Sequence, residues 1–365
     1  MAQIITFLGK GGTGRTTVAI AVAKQLASEG ARVLLAAQDP TPGFNLLLGA
    51  SVGANPVEIG ANLKAVNFQS TQLLEAAWEE VKNLEAQYLR SPTLKNVYGQ
   101  ELSILPGMDS ALALNGIREY NESGNYDAIV YDGSGDLTTL RMFGIPETMS
   151  WYIRRFRKIF VESDLGKAIS PFIQPVTSAI FNSNAGWVGE NFGQQPTNQA
   201  QNMLEQGKNA LANPNQVVAY LVTNDNPAAI ATAKYLWGSS QQIGLTIGGV
   251  LLNQAENGES VTSDFAPLPV TPLPTTEEWQ PLMDALPNLK QTPSVPKPLE
   301  VNVSARQVRV FLPSFDKKQV KLTQYGPEIT IEAGDQRRNI VLPPQLSGQS
   351  VKGAKFQDGY LIVSL

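Results

Sequence analysis

The sequence of 365 residues contains no cysteine and no histidine. Without thiols there is no disulfide, no cysteine nucleophile and no thiolate ligand for a soft metal ion. Without imidazole as well, Cys or His zinc sites and Ser-His-Asp triads are excluded. Acid–base chemistry must then rest on carboxylates, lysine, tyrosine or hydroxyls, and any metal must be a hard, oxygen-ligated ion such as Mg²⁺. Charge is also sparse: 16% of residues are charged against about 25% in an ordinary domain, and the net charge is -4. A chain without a basic surplus is not expected to bind nucleic acid. No apolar run approaches the roughly 20 residues of a bilayer span. The opening "MAQIITFLGKGG" lacks the basic region and long apolar core of a signal peptide. The expectation is a cytoplasmic protein with no nucleic-acid partner and no stable membrane insertion.

What is present alternates strand and helix. "IITFL" (residues 4–8) is a continuous apolar run of the kind found in buried parallel strands. A glycine-rich loop follows, then "TTVAIAVAKQLASEG", apolar at helical spacing and stopped by Gly30. "RVLLAAQD" (32–39) and "YDAIVYD" (126–132) are two further buried strands, each ending in an acid, Asp39 and Asp132. Residues 69–100 and "MDSALALNGIREY" read as helices, "ELSILPG" as a strand. Residues 141–212 lack strand character and carry large apolar side chains, among them Met149, Trp151, Ile153, Phe156, Phe160, Phe172 and Phe181. Arg154, Arg155, Arg157 and Lys158 among them read as a solvated face. "VVAYLVTND" and "IGGVLLNQ" restore the alternation, and a proline-rich stretch at 286–298 reads as a linker. Beyond it apolar and polar residues alternate with period two, as in a small antiparallel β-domain over 299–365.

The loop "GKGGTGRTT" carries the chemistry. Gly9, Gly14 and Thr16 fit G-x-x-x-x-G-K-[ST] except that Arg15 stands at the lysine position. In that pattern backbone N–H groups cradle phosphate oxygens, glycines let the main chain approach, and the Ser/Thr hydroxyl ligates Mg²⁺. Its place between a strand and a helix supports nucleotide binding over a plain turn. Asp39 and Asp132 stand at strand ends beside it, where an acid serves either the nucleotide or only a turn or helix cap. The fold expected is α/β: a mostly parallel P-loop NTPase sheet (1–285) with helices on both faces and a helical insertion, then a small antiparallel β-sandwich.

The early lysine, Lys10, gives the pattern K-G-G-x-G-[KR]-T-[ST], which resembles the deviant Walker A loop of the MinD/ArsA class of dimeric ATPases. "LLAAQDPTP", "ILPGMDSALAL", "YDAIVYDGSGDLTTLRMFGIPETMS" and "VLLNQ" resemble, in order, motifs of the arsenical-pump and tail-anchored-protein targeting ATPase family. The segment from "VRVFLPSF" to "GYLIVSL" resembles the α-crystallin domain of small heat-shock proteins, through Leu312, Pro313, Phe315, Leu342, Pro343, Ala354, Phe356, Asp358, Gly359 and Leu361.

The resemblance implies ATP and Mg²⁺ as cofactors and a homodimer in which Lys10 reaches the partner's nucleotide. Gly9, Gly11, Gly12, Thr13, Gly14, Arg15, Thr16 and Thr17 would hold phosphate. Asp39 would orient the attacking water, and Thr16, Asp39 and Asp132 would serve Mg²⁺. Asn253, with Pro272 and Pro274 in the loop behind the base, would meet adenine. The function implied is an ATP-dependent chaperone or targeting factor that binds hydrophobic segments in a nucleotide-controlled groove within 141–212. Its hydrolysis would be slow, because a planar guanidinium does not replace a compact ammonium. A membrane-associated spatial-organisation ATPase of the MinD type and a non-hydrolysing scaffold are the alternatives. The chain departs from the family in having no cysteine: arsenite export is not expected, and no zinc clasp can hold the dimer.

Overall fold

The computed structural model describes residues 1–39, 41–88, 94–162, 194–255, 257–291 and 294–365. Eight strands form one sheet: β1 (Gln3–Leu8), β2 (Val33–Ala37), β3 (Val57–Gly60), β4 (Leu63–Asn67), β5 (Ala128–Asp132), β6 (Val217–Thr223), β7 (Ile247–Asn253) and β8 (Val270–Leu273). Their order is β3-β4-β2-β5-β1-β6-β7-β8. Every pairing is parallel except that of β3 with β4. β1 lies in the middle, so the loop leaving its carboxyl end opens at the point where the strand order reverses, where ligands of open α/β sheets sit.

Strand residues alternate between two cores. Ile5 and Phe7 of β1 face α1 (Arg15–Ser28) and α2 (Gly43–Leu48), while Ile4 and Leu8 face the opposite side. That side is covered by α4 (Met108–Glu122) and α5 (Leu137–Phe143), with α3 (Ser70–Tyr88) packed on α4. α6 (Ile145–Glu162) and α7 (Gln194–Leu211) pair through Ile153, Leu204 and Met149. α8 (Pro227–Gln242), α9 (Glu259–Phe265) and α10 (Trp279–Ala285) complete the layers. Of the large apolar residues noted within 141–212, Phe172 and Phe181 lie outside the described residues, as do the side chains of Phe156 and Phe160.

Two expectations change. "ELSILPG" is not a strand: a short 3-10 turn at Gly99–Glu101 leads into loop, and Leu102 and Ile104 pack beside Leu74 and Met108. A short apolar run satisfied by a helix face looks like a strand when only the run is read. The β3–β4 hairpin carries no clear local signal, because β3 is a mostly exposed edge with little apolar alternation. Residues 271–273, expected in a loop behind the base, lie in β8.

The C-terminal strands form two sheets with a shared interior. β9 (Leu299–Asn302), β10 (Gln307–Phe311), β14 (Gly353–Gln357) and β15 (Tyr360–Ser364) make one, in the order β14-β15-β10-β9. β11 (Val320–Tyr325), β12 (Glu328–Ala333) and β13 (Gln336–Val341) make the other. Val308, Val310, Ile329, Ile331, Ile340, Leu361 and Val363 fill the space between.

This sandwich is docked on the first unit. Phe311 points away from its own core and meets Trp237 of α8 edge-on at 5.7 Å. Gln242 Nε2 donates to Ala333 O, and Arg338 Nη1 to Gln241 O, both at 2.7 Å. Arg154 pairs with Glu328 at 2.9 Å and Arg155 lies over the Tyr325 ring at 4.0 Å. These two arginines are exposed, as expected of a solvated face, and also touch the sandwich. In the proline-rich stretch, Leu286 and Leu289 are buried in the core beneath α1, and Lys290 pairs with Glu29.

Candidate functional site

The loop between β1 and α1 is shaped by close backbone approaches. A Cβ at Gly9 would strike Val222 O of β6, and one at Gly14, which sits at φ +86°, would strike the Asn253 amide. Buried Thr13 donates its hydroxyl to Lys10 O at 2.9 Å and to Val222 O at 3.1 Å. Gly11 and Gly12 are exposed, with open space where a Cβ would stand. α1 begins with no side-chain cap and no acid in its first turn. Its leading N–H groups are therefore left for an external acceptor, and with the helix dipole they suit an anion. The residues fit a nucleotide phosphate on that ground.

Thr16 donates its hydroxyl to the buried Asp132 carboxylate. Burial pushes Asp132 up to about 6; the Thr16 hydrogen bond and the Arg15 charge restrain the rise, and the Asp39 charge adds to it. Asp39 follows β2, which runs beside β5. Its Oδ1 accepts from Thr41 N–H at 2.9 Å, and Asn67 Nδ2 donates to its carbonyl at 2.7 Å. Among the described residues no group of three or more acids is placed to hold a metal ion by itself. One hydroxyl and two carboxylates suit a Mg²⁺ that keeps most of its sphere for phosphate and water.

The Lys10 side chain is exposed and has no ion-pair partner among the described residues. Arg15 behaves differently. Its Nη1 donates to Gly133 O at 3.3 Å and to Ser134 O, in the loop after β5. Burial lowers the Arg15 pKa, and Asp132 and Asp136 pull it back up. Asn253 Nδ2 donates to Thr13 O at 3.0 Å, so this amide braces the loop. Asn253 pairs in register with Leu273, and Leu252 with Pro272. Asn253, Pro272 and Pro274 thus gather at the carboxyl ends of neighbouring strands.

Sequence reading missed a second layer. Tyr131 OH donates to Gln38 Oε1 at 2.5 Å and lies 3.4 Å from Met142 Sδ. Gln38 Nε2 in turn donates to Asp109 O at 3.3 Å. One buried phenol thereby touches the ends of β2 and α5, and through Gln38 the start of α4. Asp136 caps α5, accepting from Thr138 N–H and Ser134 Oγ at 2.7 Å each. The pattern D-L-T ahead of an apolar run is an N-cap signal that would have found Asp136. No local signal marks Tyr131, which reads as one more apolar strand residue.

The sequence profile of the anion-transporting ATPase family matches residues 2–266. That of an HSP20-like domain found in ArsA matches residues 304–365. A putative arsenical pump-driving ATPase of Chlorobaculum tepidum is 25% identical over 392 aligned residues, covering 98% of this chain and 95% of the relative. Putative arsenical pump-driving ATPase 1 of Aquifex aeolicus is 22% identical, with 99% of each chain covered. The ATPase GET3 of Malassezia globosa is 27% identical over 172 residues, 47% of this chain and 48% of that one.

Proposed function

The chain belongs to the anion-transporting ATPase family and is an ATPase, and from that premise we propose that it works as a cytoplasmic homodimer whose nucleotide state opens and closes a groove for apolar protein segments. The observation that carries this reading is the run of chain after β5. The loop at 133–136 leads into α5, and α6 follows after Gly144 alone. A shift of that loop is handed to the α6–α7 pair, which already buries Ile153 against Leu204.

In this reading bound ATP supplies the phosphoanhydride that water cleaves. Backbone N–H groups of Gly11 to Thr17 hold the phosphates and neutralise charge where it develops. Thr16 holds Mg²⁺, supported by Asp132 and Asp39. Asp39 orients the attacking water, and Lys10 of each chain serves the partner's nucleotide. Asn253, Pro272 and Pro274 border the base. Turnover is slow, because the planar guanidinium of Arg15 does not take the compact position of the ammonium that the motif calls for. Arsenical cargo is no part of the proposal, since the chain has no thiol to hold it.

The test is an Asp39→Asn trap, loaded with MgATP and used to recover bound proteins for mass spectrometry, beside sedimentation of the wild type with and without nucleotide. Dimers and a catch enriched in membrane-protein segments are expected. A monomer in every condition, or a catch of unselected soluble proteins, overturns the reading.

A further inference from the structure

Three consecutive backbone carbonyls after β5 point at the phosphate loop. Gly133 O and Ser134 O both accept from Arg15 Nη1, and Gly135 O accepts from Gly9 N–H at 2.9 Å. The guanidinium lies in the field of Asp132 and Asp136. Gly135 takes φ +65°, and a Cβ there would run into that guanidinium, so the contact requires glycine at 135. A lysine ammonium is a single point of charge on a flexible stem; the planar fork of arginine presents five donors and reaches several acceptors at once.

We propose that Arg15 is the positioning residue that ties phosphate occupancy to the 133–136 loop, its guanidinium exchanging the carbonyls of Gly133 and Ser134 for phosphate oxygens. The proposal rests on the nucleotide reading above. Phosphate oxygens are the stronger acceptors for a guanidinium, since they carry full negative charge and take its fork in bidentate fashion, whereas a carbonyl offers only a dipole. Once Arg15 turns away, those two carbonyls lose their donor, and the Gly9–Gly135 bond is left to join the two loops. The loop and the Asp136 cap of α5 then loosen together. Arg15 in its present position opposes nucleotide binding, and that opposition couples the site to α5.

The experiment uses the full chain, its Arg15→Lys and Gly135→Ala variants, and a non-hydrolysable ATP analogue with Mg²⁺. Hydrogen exchange over residues 133–143 and analogue affinity are both read. In the wild type, exchange over 133–143 rises when the analogue binds. In both variants it is already fast without the analogue and changes little on binding. Gly135→Ala keeps the arginine but displaces it from the carbonyls, so it binds the analogue about three- to tenfold more tightly; a merely damaged loop would bind more weakly. The proposal is overturned if the variants keep the wild-type exchange profile, or if Gly135→Ala weakens binding. If the wild type binds the analogue with no change at 133–143, this coupling fails and the nucleotide reading stands. If it does not bind at all, both fall.

Discussion

Asp132 sets stability against function at a single position. Its carboxyl is buried and titrates near 6, well above the ordinary 3.8. The folded state therefore holds a proton between pH 4 and 6 that the unfolded chain has already lost, and stability falls as pH rises through that window. At pH 7 the ionised form costs about 3 kcal/mol relative to an unperturbed carboxylate. Asp132→Asn keeps an acceptor for Thr16 and removes the charge. It is expected to raise stability by about 2 kcal/mol above pH 7 and by nearly nothing at pH 4, while Mg²⁺-dependent hydrolysis is lost. Denaturant melts at the two pH values and a phosphate-release assay check both halves. Lys10 is the opposite case: its side chain is exposed and has no ion-pair partner among the described residues. Lys10→Ala should leave stability within about 0.5 kcal/mol and abolish turnover in the dimer; unchanged turnover would remove Lys10 from the reaction.

At the scale of elements, α8 decides how the two units are held. Its Gly238 lies where a Cβ would strike Pro313 O and the Phe315 ring, so helix and sandwich approach to backbone distance. One turn on, the half-buried Arg338 donates to the Gln241 carbonyl at the helix end, where the dipole favours a cation. Burial pulls Arg338 down to about 10, and Glu147 of α6 pulls it back up. Gly238→Val is expected to force the units apart, splitting the thermal transition in two and opening the 286–298 stretch to protease. A single unshifted transition would show that the contact adapts. Phe311→Ala, which empties a site between Trp237 and Tyr360, should cost about 3–5 kcal/mol. None of this was legible locally: Gly238 reads as a weak spot in a helix, and Phe311 as one of many strand aromatics. The glycine loop was legible, because its steric demands repeat at fixed spacing between a strand and a helix.

For the whole molecule, α5 and α6 link the phosphate site to the sandwich. Arg141 of α5 pairs with Asp335 in the β12–β13 turn, and Arg154 of α6 pairs with Glu328. Pairs with a solvent-exposed partner contribute little individually, so they guide the docking that Phe311, Gln242 and Arg338 hold. Removing residues 299–365 would uncover Trp237, Tyr235 and the polar end of α8. The truncated chain is expected to aggregate at lower temperature while its fluorescence still reports nucleotide binding; light scattering during a thermal ramp checks the first part.

The range of chemistry open to this protein is set by its composition. Lacking cysteine and histidine, it is confined to oxygen ligands and backbone cradles, and a periodic strand–loop–helix pattern placed one such cradle at Gly9–Thr17. Those features are legible because they are local: side-chain identity and short-range spacing define them. What Arg15, Asn253, Tyr131 and Arg154 touch follows from the folded arrangement alone. Their partners lie 100 or more residues away in most cases, and β-strand order and interdomain docking bring them together. A cation in a loop carries no mark of which distant carbonyl it will meet.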